Sequence, residues 1–174
     1  MKTDAKISAA TDWEDRLTAV LPLFGHRNWI VVADAAYPAQ ARRGIETIAS
    51  GASQLEVLRK VMNAVSTSRH IRANVYLDYE VEFVSEQDAP GVASYKEQLE
   101  AILADSKHSR IPHEQIIGRL DQSAQVFRIL IIKTEMTIPY TSVFFELDCG
   151  YWNAEAEQRL RMAIRKAEGQ QSLT

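Results

Sequence analysis

A chain of 174 residues with an apolar share of 46% and a charged share of 25% has the composition of a folded protein rather than a disordered one, and its length fits one domain with a single substantial core. With 20 basic against 23 acidic residues the formal charge is -3, and no Lys/Arg cluster interleaved with aromatics tracks a phosphate backbone, so nucleic acid is not an expected partner. No apolar run approaches the roughly 20 residues needed to cross a bilayer, the N-terminus lacks the apolar core of a signal peptide, and the single cysteine, Cys149, permits neither an internal disulfide nor a zinc spacing; a cytoplasmic protein with no membrane partner is expected.

In chain order, residues 11–24 predict a helix: Thr11 stands as cap with Glu14 three residues on, Trp13, Leu17, Val20 and Leu21 share one face, and Gly25 closes it. Residues 28–33 form a nearly continuous apolar run rich in β-branched side chains, the signature of a strand buried on both faces, which asks for helices above and below. Residues 53–67 return to helical spacing, with Ser53 as cap, Glu56 three residues later and Leu55, Leu58, Val61, Met62 and Val65 on one side. Residues 72–84 alternate instead, Val75, Leu77, Tyr79, Val81 and Phe83 against Tyr76, Asp78, Glu80 and Glu82, and predict a strand with an acidic face.

After Pro90-Gly91, a third helix is marked by Tyr95, Leu99, Ile102 and Leu103 and ends near Asp105; His108 and His113 then flank Arg110-Ile111-Pro112 in what reads as a loop. Residues 115–120, 127–133 and 142–147 predict three short strands, the last two free to differ in direction. Residues 151–168 predict a final helix with Asn153 as cap, Glu155 and Glu157 early, Arg159, Arg161, Arg165 and Lys166 late, and a modest apolar stripe of Leu160, Ala163, Ile164 and Ala167. Strands alternating with amphipathic helices imply an α/β fold, a layered helix-sheet-helix domain with a mostly parallel sheet over residues 1–150, followed by a C-terminal helical extension over residues 151–174.

The richest stretch runs from Gly25-His26 through the apolar strand to Asp34 and Tyr37-Pro38. Histidine is the only side chain whose ordinary pKa lets it exchange protons near neutrality, and a carboxylate at a strand end is a ready partner for a polar ligand, so the pattern reads as a small-molecule site. A solvated histidine followed by a turn-forming aspartate is the competing structural reading. Asp78, Glu80 and Glu82 read as a solvated strand face before they read as cation ligands, and His108 and His113 have no third ligand in view, so no metal or cofactor is expected.

The same pieces, Gly25-His26, the apolar strand, Asp34-Ala35 and Tyr37-Pro38, with Thr134-Glu135 and Pro139-Tyr140-Thr141-Ser142-Val143-Phe144-Phe145 further on, resemble in order and separation the D-ribose pyranase and L-fucose mutarotase (RbsD/FucU) family over residues 11–150. The resemblance implies an RbsD-like fold, a cofactor-independent mutarotase or pyranase acting on a monosaccharide such as ribose or fucose, and assembly into a ring-like homo-oligomer. It implies His26 as the catalytic acid/base and Asp34 and Tyr140 as sugar contacts. The family's Tyr-x-Asn falls on Tyr140-x-Ser142, where a hydroxyl of shorter reach replaces a carboxamide. A further sugar contact, His or Arg in the family, maps nearest to Arg119.

Chemistry independently asks for such residues. Interconverting anomers, or pyranose and furanose forms, requires one group to take the proton of the anomeric hydroxyl while another protonates the ring oxygen, a task for a histidine near neutrality and one that needs no cofactor. Eight extended steps from His26 to Asp34 at roughly 3.3 Å each span on the order of 25 Å, too far to hold one monosaccharide. Either the chain turns back or two subunits build the pocket, and the second is the expectation. The alternative function is a non-catalytic monosaccharide-binding oligomer of the same fold, for which the Ser142 replacement speaks; a purely structural oligomerisation module ranks last.

Overall fold

The computed structural model describes residues 12–171. The expected cap Thr11 lies outside them, and helix α1 (Trp13–Val20) is capped by Asp12, whose carboxylate accepts the Glu14 N–H at 3.1 Å. A single 3-10 turn over Leu21–Leu23 then leads to Gly25. Strand β1 (Trp29–Ala33) is buried at every position, as its unbroken apolar run requires. Strand β2 (Ile45–Ala49) follows, then α2 (Gln54–Thr67) behind its Ser53 cap, β3 (Ile71–Asp78), α3 (Val92–Leu103), β4 (His108–Ile111), α4 (His113–Ser123), β5 (Ile129–Lys133), β6 (Val143–Cys149) and α5 (Ala154–Gln171).

The six strands form one sheet in the order β2-β5-β1-β6-β3-β4. β1 pairs in parallel with β5, β5 with β2 and β3 with β4, whereas β6 runs antiparallel between β1 and β3. The sheet is therefore mostly parallel, and β5 and β6 do run in opposite directions. Alternation along β1 divides the core. Ile30 and Val32 pack with α1, α2 and α3 through Trp13, Leu17, Leu58, Val61 and Leu99, while Trp29, Val31 and Ala33 pack with α4 through Ile116 and Leu120. The result is the α/β helix-sheet-helix layering that the alternating pattern implies.

Four elements differ from the sequence reading, each for a physical reason. The strand expected over 72–84 stops at Asp78 and gives way to a 3-10 helix over Tyr79–Phe83. Alternation continues in the sequence, but the partners run out: Leu77 faces Val143, the first residue of β6, and Asp78 faces Ile111, the last of β4. Residues 115–120, expected as a strand, lie inside helix α4. Only Ile116 and Leu120 of that segment are buried, a four-residue spacing that places both on one helical face; the Ile116-Ile117 pair disguised it. The loop expected around His108 is instead edge strand β4, and β2 was not anticipated because only Ile45 of its five residues is buried.

Helix α5 carries its expected cap, the Asn153 carboxamide oxygen accepting the Ala156 N–H at 2.8 Å, yet Leu160, Met162 and Ile164 remain exposed. Its link to the sheet is Gly150, where an added Cβ would sit 2.7 Å from the backbone oxygens of Arg69 and Ile71 and 2.8 Å from Ile71 N. Since backbone atoms cannot step aside cheaply, Gly150→Ala is expected to lower the stability of the folded chain by about 2–3 kcal/mol, read as a lower urea midpoint at unchanged slope; an unaltered midpoint would show that β3 yields there.

Candidate functional site

The carboxyl ends of β1 and β3 and the start of β6 meet at one rim of the sheet, the position at which open α/β sheets bind ligands. A cleft of about 520 Å3 opens there, lined by Asp34, Tyr37, Gln40, Asp78, His113, Ile117 and the 136–140 segment ending in Tyr140, a size suited to a small molecule. Asp34 is anchored rather than free. Its N–H donates to Ser142 Oγ at 3.2 Å, the Ser142 hydroxyl donates to Asp34 Oδ2 at 3.1 Å, and Asp34 Oδ1 accepts the Ala36 N–H at 2.9 Å.

Beneath the rim lies a buried polar network. Gln54, 1% exposed, donates from Nε2 to the carbonyls of Val32 at 3.2 Å and Thr141 at 2.7 Å, and its Oε1 faces the Thr134 hydroxyl at 2.6 Å. The Tyr95 hydroxyl donates to the same Thr141 carbonyl at 2.8 Å. This network ties the ends of β1, β5 and β6 to α2 and α3 and so fixes the segment that carries Tyr140.

His113 opens α4 because Glu80, in the turn after β3, accepts its backbone N–H at 3.0–3.1 Å through both carboxylate oxygens. Its ring Nδ1 lies 3.0 Å from Asp78 Oδ1, with the Asp78 side chain 2% exposed and that of His113 30%. The ring meets Tyr140 edge to face at 5.7 Å between centroids. Burial pushes the Asp78 carboxyl up to about 6, with Glu80 and Asp34 adding in the same direction and His113 opposing. A carboxyl raised in the folded state contributes stability that is complete below its unfolded value of about 4 and is lost as pH climbs through 6, a loss on the order of 3 kcal/mol. Burial, then the carboxylates of Asp121, Asp78 and Asp34, also raise Tyr37, keeping it a neutral phenol.

At the opposite rim, before β1 begins, His26 stands on a turn with its side chain 59% exposed and Nδ1 2.8 Å from Asp148 Oδ1. Arg72 donates to Asp148 Oδ2 at 2.7 Å, and Arg27 Nε approaches His26 Nε2 at 3.2 Å. Burial works against the Asp148 charge, but hydrogen bonds from Arg72, the Cys149 N–H and His26 outweigh it and hold the carboxyl below its usual value. A second cleft, lined by His26, Asp148, Tyr151, Trp152 and Glu157, opens beside it. Among the described residues only Arg27 (φ 75°) and Tyr140 (φ 59°) are non-glycine residues at positive φ. Such backbone costs on the order of 1–3 kcal/mol and gathers at functional positions; here one adjoins His26 and the other is the cleft tyrosine.

The five candidates therefore separate. Asp34 and Tyr140 share the strand-end cleft; His26 does not. Five residues of extended β1 at about 3.3 Å each, with the flanking turns, set His26 and Asp34 on the order of 20 Å apart. Ser142, 2% exposed, spends its hydroxyl on Asp34 and acts on the cleft through it. Arg119 lies along α4 with its guanidinium 5.2 Å above the Tyr76 ring and is absent from the cleft lining, where His113 of the same helix stands instead. The sequence reading weighs His113 and Asp78 only as metal ligands and does not bring them to the cleft, because a strand over 115–120 hides the start of α4 and alternation puts Asp78 on a solvated face; Pro112 followed by Glu114 is the helix-start signal that points to the first. Among the described residues no three or more His, Cys, Asp or Glu side chains gather as a metal site, and no helix is long and apolar enough to cross a membrane.

The profile of the RbsD / FucU transport protein family matches residues 13–150. This chain belongs to that family. RbsD of Bacillus subtilis, solved in complex with D-ribose, superposes with a TM-score of 0.54 at 15% identity over 85% of this chain and 98% of its own. The fucose mutarotase of Streptococcus pneumoniae, solved with L-fucose, gives 0.50 at 20% identity over 76% of this chain and 91% of its own. Both share the fold of this RbsD/FucU member. No curated protein matches its sequence. The family match ends at Gly150, so α5 lies outside it.

Proposed function

We propose that this RbsD/FucU chain is a cytoplasmic monosaccharide mutarotase or pyranase that opens and recloses the sugar ring by proton transfer, without metal or cofactor, in sites completed between neighbouring protomers of a homo-oligomer. Its observational basis is the cleft at the strand ends, where Asp34, His113 and Tyr140 stand together, in a chain whose family includes structures solved with D-ribose and L-fucose. Tyr140 offers a ring face to the apolar side of a sugar and a hydroxyl to its oxygens. Asp34, preset by Ser142, accepts from a sugar hydroxyl, and His113 provides a second polar contact. His26 of an adjacent protomer supplies the mobile proton, since within one chain it sits at the wrong end of β1 to reach.

The chemistry divides accordingly. One group withdraws the proton of the anomeric hydroxyl as the carbonyl forms and the C1–ring oxygen bond breaks, while another protonates the departing ring oxygen; reclosure on the other face of the carbonyl gives the other anomer, and reclosure through a different hydroxyl gives the other ring size. The His26 imidazole is held at Nδ1 by Asp148 and accepts the Arg27 Nε–H at Nε2, so Nε2 reaches a sugar oxygen once the exposed Arg27 side chain gives way.

A second reading, a binding protein without catalysis, is favoured by one observation. The Ser142 hydroxyl is fully engaged with Asp34, which leaves the cleft without the hydrogen bonds a carboxamide there would make. Saturation-transfer NMR on equilibrated D-ribose and L-fucose separates the two: accelerated exchange between anomers establishes the enzyme, whereas binding with unaltered exchange establishes the alternative.

A further inference from the structure

Asp78 is an unusual companion for the cleft histidine. It is the last residue of β3, its side chain is 98% withdrawn from solvent (2% exposed), and its Oδ1 takes the Nδ1 side of His113 at 3.0 Å. A neutral imidazole carries one N–H, and the nitrogen that bears it is chosen by the partner it meets. A carboxylate accepts and cannot donate, so the proton is drawn to Nδ1 and Nε2 is left as a lone pair. His113 borders the cleft on the side of Tyr140, against which its ring is packed at 81°; the Glu80 carboxylate holds its backbone, so neither ring nor main chain is free to turn.

We propose that Asp78 is a positioning residue that fixes His113 as the Nδ1–H tautomer, making Nε2 a hydrogen-bond acceptor in the cleft and selecting a sugar hydroxyl, as donor, at that point. This rests on the reading of the cleft as a monosaccharide site. The groups facing the pair are Glu80 from the turn after β3, Asp34 from the end of β1, and the phenols of Tyr37 and Tyr140; no Lys or Arg stands among them to compete with His113 as donor to the Asp78 carboxylate. An ionised carboxylate in so dry a place is costly, and a cost retained at a cleft wall fits a role in the ligand rather than in the fold. When Asp78 takes a proton, as it does on acidification through about pH 6, its demand for the Nδ1 proton weakens and the acceptor at Nε2 is lost.

The test uses the full-length protein with 15N-labelled histidine, wild type and Asp78→Asn, with His113→Asn to assign the signal. Two-bond 1H–15N spectra at pH 7.5 are expected to show His113 of the wild type as a single Nδ1–H tautomer and that of Asp78→Asn as a mixture of both. Titrated with D-ribose and L-fucose, the variant is expected to bind about tenfold more weakly, the equivalent of one misdirected hydrogen bond, and to lose the wild type's fall in affinity between pH 7 and 5. Because the buried charge is removed, the variant should unfold at a higher temperature than the wild type at pH 8, which guards against loss of fold as an explanation. An Nε2–H tautomer in the wild type, or an unchanged tautomer in Asp78→Asn, overturns the proposal. Failure of the wild type to bind either sugar overturns the reading of the cleft instead, and the tautomer spectra still decide the role of Asp78.

Discussion

His26→Ala is expected to slow anomer exchange about 100- to 10,000-fold, the usual worth of a positioned general acid or base, while sugar affinity changes little. The side chain is 59% exposed and its polar contacts are with Asp148 and Arg27 at the surface, so the fold has little to lose; substitutions of this kind usually fall within about 0.5 kcal/mol. Exchange rates from saturation transfer and binding from chemical-shift titration, run on the same samples, separate the two quantities. Exchange persisting at the wild-type rate in the variant would remove His26 from the mechanism and leave the His113–Asp78 pair as the remaining acid/base in the strand-end cleft.

The second large effect is structural and begins at Gln54. Gln54→Leu preserves helix propensity and approximate volume but strips partners from the Val32 carbonyl, the Thr134 hydroxyl and, in part, the Thr141 carbonyl, all at the buried ends of β1, β5 and β6. An orphaned buried polar group costs about 1–3 kcal/mol. Thr141 keeps Tyr95 and Thr134 keeps the Ala33 carbonyl, so the sum is expected near 3 kcal/mol, a fall of roughly 6–12 °C in Tm for a domain of this size. Because the same network holds the turn in which Tyr140 adopts a positive φ, sugar affinity should fall with it. A variant as stable as the wild type would mean that the leucine repacks the space and the network adds specificity rather than stability.

Much of this was legible in the chain. β1 announced itself by an unbroken apolar run, and α2 by a Ser53 cap with apolar residues at helical spacing, because burial on two faces and burial on one stripe leave different periods in the sequence. Asp34 is legible for a related reason, since it stands where a buried strand ends; Tyr140 comes from the family resemblance and from no pattern of burial. The edge strands were not legible, since β2 and β4 bury little and carry no strong pattern. Neither was the pairing of Asp78 with His113, whose residues are 35 apart and meet only because β3 and α4 end and begin at the same rim. Arg119, the candidate implied by the resemblance, is the seventh residue of α4 and lies outside the cleft lining, whereas His113, the first, lies within it, a difference that a strand reading of residues 115–120 hides.

If His26 and Asp34 act on one sugar, as proposed, their separation requires each site to be shared between protomers, and mixing variants tests this most directly. His26→Ala and Asp34→Asn, each expected to be inactive alone, are co-expressed under different tags and purified through both, and anomer exchange is measured on the mixed assembly. If every site takes its histidine from one protomer and its aspartate from the next, random association of equal amounts restores about one quarter of the sites, and exchange returns in that proportion. A mixed assembly as inactive as its parents, or an active wild-type monomer in sedimentation, would contradict the account.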